Sequence, residues 1–292
     1  MSLDALLTQV LMGLTVGVNL VLVATGLTLI FGLMGVVNFA HSSLFMLGGY
    51  AGLTVYTRLG NFWLGLLAAP IAVAVVGGAV EWLLLRPLRA KFPGSHLLPL
   101  LLTFGLSLFF EGVAKVIWGA DVRALDKPAA LGGSVSLGTV TFPTYWLFAL
   151  VAAVALAVAV WLVVERTSLG LSIRAATQDP MMATVLGVDV ERLNTVVFAL
   201  GAALAAAAGV ILGTMTSVSP QMGAGVVLDA FIAVVIGGLG SFTGAIVGAL
   251  LLGQVQSFGV ALLPAFHTPL VFLVMAVVLV IRPSGLFGTV QR

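Results

Sequence analysis

Residues 5 to 57 read ALLTQVLMGLTVGVNLVLVATGLTLIFGLMGVVNFAHSSLFMLGGYAGLTVYT, and no charged side chain occurs between Asp4 and Arg58. About 20 apolar residues cross the hydrocarbon core of a bilayer, so this stretch is long enough for two crossings. Gly32, Gly35 and the polar Asn38 interrupt it, which predicts spans near 6–33 and 38–57. Working outward, the intervals from Arg58 to Glu81, Lys127 to Glu165, Arg192 to Asp229 and Asp229 to Arg282 are also free of charge. Further spans are expected near 61–85, 97–118, 143–164, 193–216 and 264–281, with an irregular apolar stretch from 225 to 256. Hydrophobic residues make up 61% of the chain and charged residues 8%, against roughly 25% charged in a soluble domain. A water-soluble globule is excluded. The pattern predicts an all-α fold: one polytopic transmembrane helix bundle over residues 1–292, with about eight hydrophobic passes.

The stretch from 225 to 256 is the irregular pass. Gly237, Gly238, Leu239, Gly240 and Ser241 break it into arms of about 13 and 15 residues, each short for a full crossing, so it either re-enters on one side or crosses twice. Basic residues in short loops set orientation. Arg86, Arg89 and Lys91 lie together, and Arg166, Arg174 and Arg192 lie in the polar segment 165–192, so both are placed in the cytoplasm. Arg282 and Arg292 put the C-terminus there too, and counting back puts the N-terminus outside. Trp82 and Trp161 then fall at inner span ends, and Tyr56, Trp63, Trp118, Tyr145 and Trp146 at outer ends, where amphipathic rings favour the headgroup level. No Lys or Arg precedes the first span, so a cleaved leader with a basic start is not expected.

Several chemistries are missing from the chain. It has no Cys, which removes disulfides and thiolate metal sites. His41, His96 and His267 are far apart and lack ligand spacing, so no metal site is expected. Lys91, Lys115 and Lys127 all lack the glycine-rich context of a phosphate-binding loop, so the chain itself does not hydrolyse nucleotide. The net charge is only +2, and nucleic acid is not an expected partner.

Polar residues at bilayer depth are costly and face a bundle interior or a cavity. Asn38, His41, Ser42 and Ser43 follow the first break and are candidates for a substrate path; the competing reading has Asn38 capping the helix, the serines bonding back to it, and His41 as a satisfied core residue. Gly237, Gly238, Gly240 and Ser241 are candidates at the second break, where free amides of a helix starting near Ser241 would meet a carboxylate; the competing reading is an apolar kink that only packs. Gly13 with Gly17, Gly209 with Gly213, and Gly240, Gly244 and Gly248 stand four apart, the spacing of close helix packing. In the loop, Asp179 followed by Pro180 reads as an N-cap with proline at the first helical position, and Gly187 reads as the stop. Met181, Met182, Val185 and Leu186 give that one short helix an apolar face, suited to a partner's pocket or to the membrane surface.

Four ordered stretches carry a family resemblance: GLTLIFGLMGVVNFAHS (26–42), SIRAATQDP (172–180), AVVIGGLGSFTGA (233–245) and RPSGLFG (282–288). With them the chain resembles the permease subunits of bacterial branched-chain amino acid ABC importers. The resemblance implies a transport subunit rather than an enzyme, in the bacterial inner membrane, that translocates branched-chain or related hydrophobic amino acids. It implies a second homologous permease subunit, two cytoplasmic ATPase subunits that bind the ATP, and a periplasmic substrate-binding protein, with no cofactor in this chain. It makes 165–192 a cytoplasmic coupling loop whose matching part docks in the ATPase, and carries that role to Arg174, Asp179, Pro180 and Gly187; the apolar face read from the helix itself adds Met181, Met182 and Leu186 as the contact. Family members often have an acidic residue after the proline, where this chain has Met181 and Met182. Urea and short-amide importers look similar, and a secondary transporter would instead place coupling ions at Asp229, Glu111 or Lys115.

Overall fold

In a computed structural model, residues 3–137 and 140–288 are described; Arg292 lies outside them. Helix α1 (Leu3–Met34) is the spine. Its 32 residues rise about 48 Å, and its side chains from Val18 to Ile30 are buried, with the later helical segments Thr144–Arg166, Val190–Thr216, Met222–Gly237 and Phe242–Leu262 against it. The chain leaves the helix at Gly35, turns through Asn38 to Ala40, and starts α2 (His41–Leu59) three residues later than the pattern suggested.

Helix α3 (Phe62–Val80) does not end at a basic loop. It continues through a π-helical turn, Glu81–Leu85, into α4 (Arg86–Lys91), so Arg86, Arg89 and Lys91 stand on helix. Pro87 donates no amide bond, and the wider turn before it absorbs that mismatch. Helix α5 (Leu97–Trp118) returns to the opposite end, where β1 (Ser134–Leu137) and β2 (Val140–Pro143) form a short antiparallel hairpin before α6 (Thr144–Arg166). The Arg123 and Val218 backbones exchange two 2.8 Å hydrogen bonds and fix this outer segment to the bundle. These features name the two ends of the molecule: the hairpin end and the basic end.

Segment 165–192 was expected to hold one short helix, and it holds two. Helix α7 (Ser168–Gln178) begins where Thr167 Oγ1 accepts from the Gly170 amide, and it buries Ile173 and Ala176. Its small buried residues and threonine cap lack the Asp-Pro punctuation that announces α8 (Pro180–Val185). Helix α9 (Val190–Thr216) then recrosses the bundle beside α1, α2 and α3.

The broken stretch is a helical hairpin of α10 (Met222–Gly237) and α11 (Phe242–Leu262). The arms are longer than expected, 16 and 21 residues, because helix resumes right after Pro220 and Gln221 and runs on past Gln256. A 3-10 turn at Pro264–Phe266 leads into α12 (His267–Ile281). Seven described helices are long and apolar enough to cross a membrane, and α11 is one of them; α2, with 19 residues, is less apolar, and α10 is shorter. The outward faces of α3, α5, α6 and α12 are apolar, as with Ile71, Val116, Val151 and Val280, which suits contact with lipid tails or another apolar surface.

Small residues set the helix spacing. Gly13 and Gly17 admit Gln254 and Leu250 of α11, Gly209 lies on the Phe45 carbonyl of α2, and Gly244 and Gly248 lie on the backbone of α10. A sixth residue of the same kind, Gly48, lies on the backbone of Ala206, where α2 crosses α9.

Candidate functional site

A cleft of about 460 Å³ lies between the 35–40 turn, the start of α2, α5 and α10. Its walls are mainly apolar, including Leu27, Met46, Val227 and Phe231, and its polar groups are few: Asn38, Ser42, Ser43, Ser107, Glu111 and Gln221. Such a balance suits a small, largely apolar ligand with a polar head.

The 35–40 turn is held by its own side chains and by α5. Asn38 is 2% exposed; its Oδ1 accepts from the Ala40 amide at 3.1 Å, while its Nδ2 is buried without a partner. The Phe39 amide donates to Thr103 Oγ1 at 3.3 Å, and Ser43 Oγ donates to the Ser107 carbonyl at 3.0 Å. Ser42 Oγ bonds back to the Phe39 carbonyl at 2.8 Å. Asn38, Ser42 and Ser43 thus share one wall. His41 does not join them: it is fully buried behind the cleft, with Nε2 3.2 Å from the Val23 carbonyl. A proton on Nε2 makes that bond and leaves Nδ1 an acceptor with no partner.

Toward the basic end the cleft is shut. Leu27, Phe31, Val37, Phe231, Val234 and Leu239 meet with no room for a water molecule among them. The second break supplies Leu239 to this seal, while Gly237, Gly238, Gly240 and Ser241 are not on the cleft wall with Asn38. Ser241 Oγ caps α11 by accepting from the Gly244 amide at 3.1 Å. The last carbonyls of a helix lack internal partners, and at α10 the chain's own tail supplies them: the Leu286 amide donates to Ile236 O at 2.9 Å and the Phe287 amide to Gly237 O at 2.8 Å. Gly238, at φ +110°, lies against Gly285 and Gly288 of that tail, where a side chain would collide.

Gly240 lines a second, smaller cavity of about 180 Å³ with Gly32, Arg174, Thr177 and Phe242, so this turn and α7 face one cavity. Arg174 is occupied within the chain: its Nη1 donates to the Val164 carbonyl and lies 3.2 Å from Glu165 Oε2. Helix α8 follows. Asp179 Oδ1 accepts from the Met182 amide at 2.9 Å, Pro180 holds the first turn, and Gly187, at φ +91°, ends it as its amide donates to Thr184 O and that of Val188 to Ala183 O. Ala183 is buried against α7, α9 and α1, while Met181 (80% exposed), Met182, Val185 and Leu186 (76% exposed) point away from the bundle. Arg174 and the α8 residues therefore stand on consecutive helices, with Arg174 bound to α6 and the apolar face on α8 alone.

Two features escaped the sequence reading. Glu111 and Gln221 come to the cleft from segments 110 residues apart, their side chains 3.5 Å from one another. Only the Glu111–Lys115 spacing within an apolar helix marks that side. The other is Glu81, fully buried, which pairs with Arg89 at 2.5 Å and accepts from Thr195 Oγ1; Arg89 also reaches Glu191 at 3.5 Å.

Comparison with known proteins agrees with this architecture. The family described as branched-chain amino acid transport system / permease component matches residues 9–282. The chain is similar to the high-affinity branched-chain amino acid transport system permease protein BraD of Pseudomonas aeruginosa, with 33% identity over 97% of this chain and 95% of that protein. LivH of Escherichia coli, named in the same words, is 30% identical over 97% of this chain and 95% of its own length. A probable branched-chain amino acid transport permease protein LivH of Methanocaldococcus jannaschii is 26% identical over 92% of this chain and 88% of its own. Matched over nearly its whole length by both family and relatives, the chain belongs to the branched-chain amino acid transport system permease family.

Proposed function

We propose that this chain is the transmembrane permease subunit of an ATP-driven importer for branched-chain or related hydrophobic amino acids. It sits in the bacterial inner membrane with its basic end in the cytoplasm, its C-terminus inside and its N-terminus outside. A second homologous permease subunit completes the membrane part, two cytoplasmic ATPases bind and hydrolyse the ATP, and a periplasmic binding protein delivers the cargo at the hairpin end. Asn38, Ser42 and Ser43 border the path, with His41 bracing the turn from behind. Gly237, Gly238, Gly240 and Ser241 form the inner turn, which faces one cavity with α7 and supplies Leu239 to the apolar seal.

The observation that carries the reading is α8: a capped helix with four apolar side chains turned outward at the basic end of a chain that has no phosphate-binding motif. Energy must reach the bundle through contact, and α8 with α7 leads from that contact to Gly240 and α1. Met181, Met182 and Leu186 fill the ATPase pocket, Asp179, Pro180 and Gly187 define the helix that presents them, and Arg174 ties α7 to α6.

The test pairs Met182→Asp with Leu186→Asp, which puts charge into an apolar contact. In vesicles holding the complete importer, uptake and substrate-stimulated ATP hydrolysis should separate by at least tenfold while the bundle stays folded. Wild-type values for both would leave α8 resting on lipid. Orientation is checked with single cysteines: Lys91→Cys should react only from the cytoplasm and Asp126→Cys only from outside.

A further inference from the structure

We infer that the Glu111–Lys115 ion pair at the mouth of the cleft is a recognition site for the α-ammonium and α-carboxylate of the cargo. This rests on the permease reading above and adds what the cleft itself selects. Glu111 is the one charged side chain on the described cleft wall, one helical turn beyond Ser107 toward the hairpin end. Its Oε1 takes both protein bonds, from Lys115 Nζ at 2.7 Å and Gln221 Nε2 at 3.5 Å, and Oε2 has no hydrogen-bond partner among the described residues. Glu111, 30% exposed, lines the cleft, and Lys115, 41% exposed, stands one helical turn further along α5, joined to the cleft wall through Glu111 Oε1. Charges on an otherwise apolar crossing helix do not face lipid tails at low cost. A pair set at this opening meets a solute instead.

A free amino acid carries its ammonium and carboxylate on one carbon, a pair of opposite charges like the one the protein presents. Laid antiparallel to Glu111 and Lys115, it forms a ring of four alternating charges and loses little of its hydration energy unrepaid. Its aliphatic side chain then points down the wall toward Leu27, Met46 and Phe231. At the inner floor Asn38 Nδ2, a buried donor with no protein partner, is placed for the carboxylate on the next step inward. A buried orphan donor is costly; a ligand oxygen removes that cost.

The experiment uses saturation-transfer NMR on the purified membrane complex without binding protein, with three probes: leucine, isoamylamine (ammonium only) and isovalerate (carboxylate only). Leucine should bind at least tenfold more tightly than either half-probe. Glu111→Gln should abolish the isoamylamine response and keep that of isovalerate, and Lys115→Gln should do the reverse. Glu111→Asp should retain leucine binding, which separates lost recognition from misfolding. Equal binding of the probes in all variants, or no leucine binding by the wild-type complex, overturns the inference. Leucine uptake by the complete wild-type importer is scored separately: uptake without the crossed pattern defeats only the ion-pair site, and no uptake of any branched-chain amino acid defeats the permease reading.

Discussion

Removing Arg89 exposes how the basic end is held together. Glu81 is fully buried, its carboxylate bound by Arg89 at 2.5 Å and by Thr195, and the Arg89 side chain is itself only 18% exposed. Taking one partner from a buried ion pair leaves an uncompensated charge and costs about 3–5 kcal/mol, so Arg89→Ala should destabilise the bundle by that amount. Thr195→Ala removes a hydrogen bond to a charged group and should cost about 1.5–3 kcal/mol. Glu191→Ala removes only contacts at 3.5 Å from a side chain 47% exposed, and surface pairs of this kind contribute about 0–1 kcal/mol. The decisive variant is the double one. Glu81→Gln with Arg89→Ala removes the orphaned charge, so it should be more stable than Arg89→Ala alone, although it carries one more change. The assay is unfolding of the purified chain by SDS in mixed micelles, followed by far-ultraviolet circular dichroism. If Glu191→Ala costs as much as Arg89→Ala, or the double variant is no more stable than Arg89→Ala, the buried-pair account is wrong.

Ser217 is the one described non-glycine residue with positive φ, at φ 80° and ψ 160°, in a region that only glycine enters freely. Ser217→Gly keeps the amide bond to Gly213 and should stabilise the chain by about 1 kcal/mol in the same titration. Gly48→Ala puts a methyl on the backbone of Ala206, with its carbonyl carbon at 2.7 Å, and should cost about 1–3 kcal/mol. Phe231→Ala opens the seal below the cleft; preloaded vesicles should lose leucine severalfold faster without ATP, and an unchanged leak would move the barrier elsewhere.

What the sequence revealed and what it hid have physical causes. Breaks at Gly35–Asn38 and Gly238–Ser241 were legible because glycine and polar residues interrupt long apolar runs, and α8 because Asp179, Pro180 and Gly187 punctuate it. Helix α7 was hidden, since Thr167 is an unremarked cap and the buried face is made of Gly170, Ile173 and Ala176. Glu81 lay inside the expected 61–85 span with no partner in view, because nothing local shows that a π-helical turn carries Arg89 back to it. The cleft was half legible: Asn38, Ser42 and Ser43 signalled their depth, but Glu111 and Gln221 meet only through tertiary packing, and the second break gives Leu239 to the seal while its glycines stay off the cleft wall.

The tail that satisfies the final carbonyls of α10 has a consequence for biogenesis. Synthesis runs from the amino end, so α10 and α11 enter the membrane before Leu286 and Phe287 exist. Until Leu286 and Phe287 have been added and have emerged, Ile236 O and Gly237 O wait without their amide partners, and the turn between the two helices stays open to alternatives. Arrival of this tail is therefore the moment at which the inner turn closes, and a chain stopped after Arg282 should insert all its long helices yet be cut readily by protease near Leu239. Equal resistance in the shortened and full-length chains would show that the turn closes without its fastening.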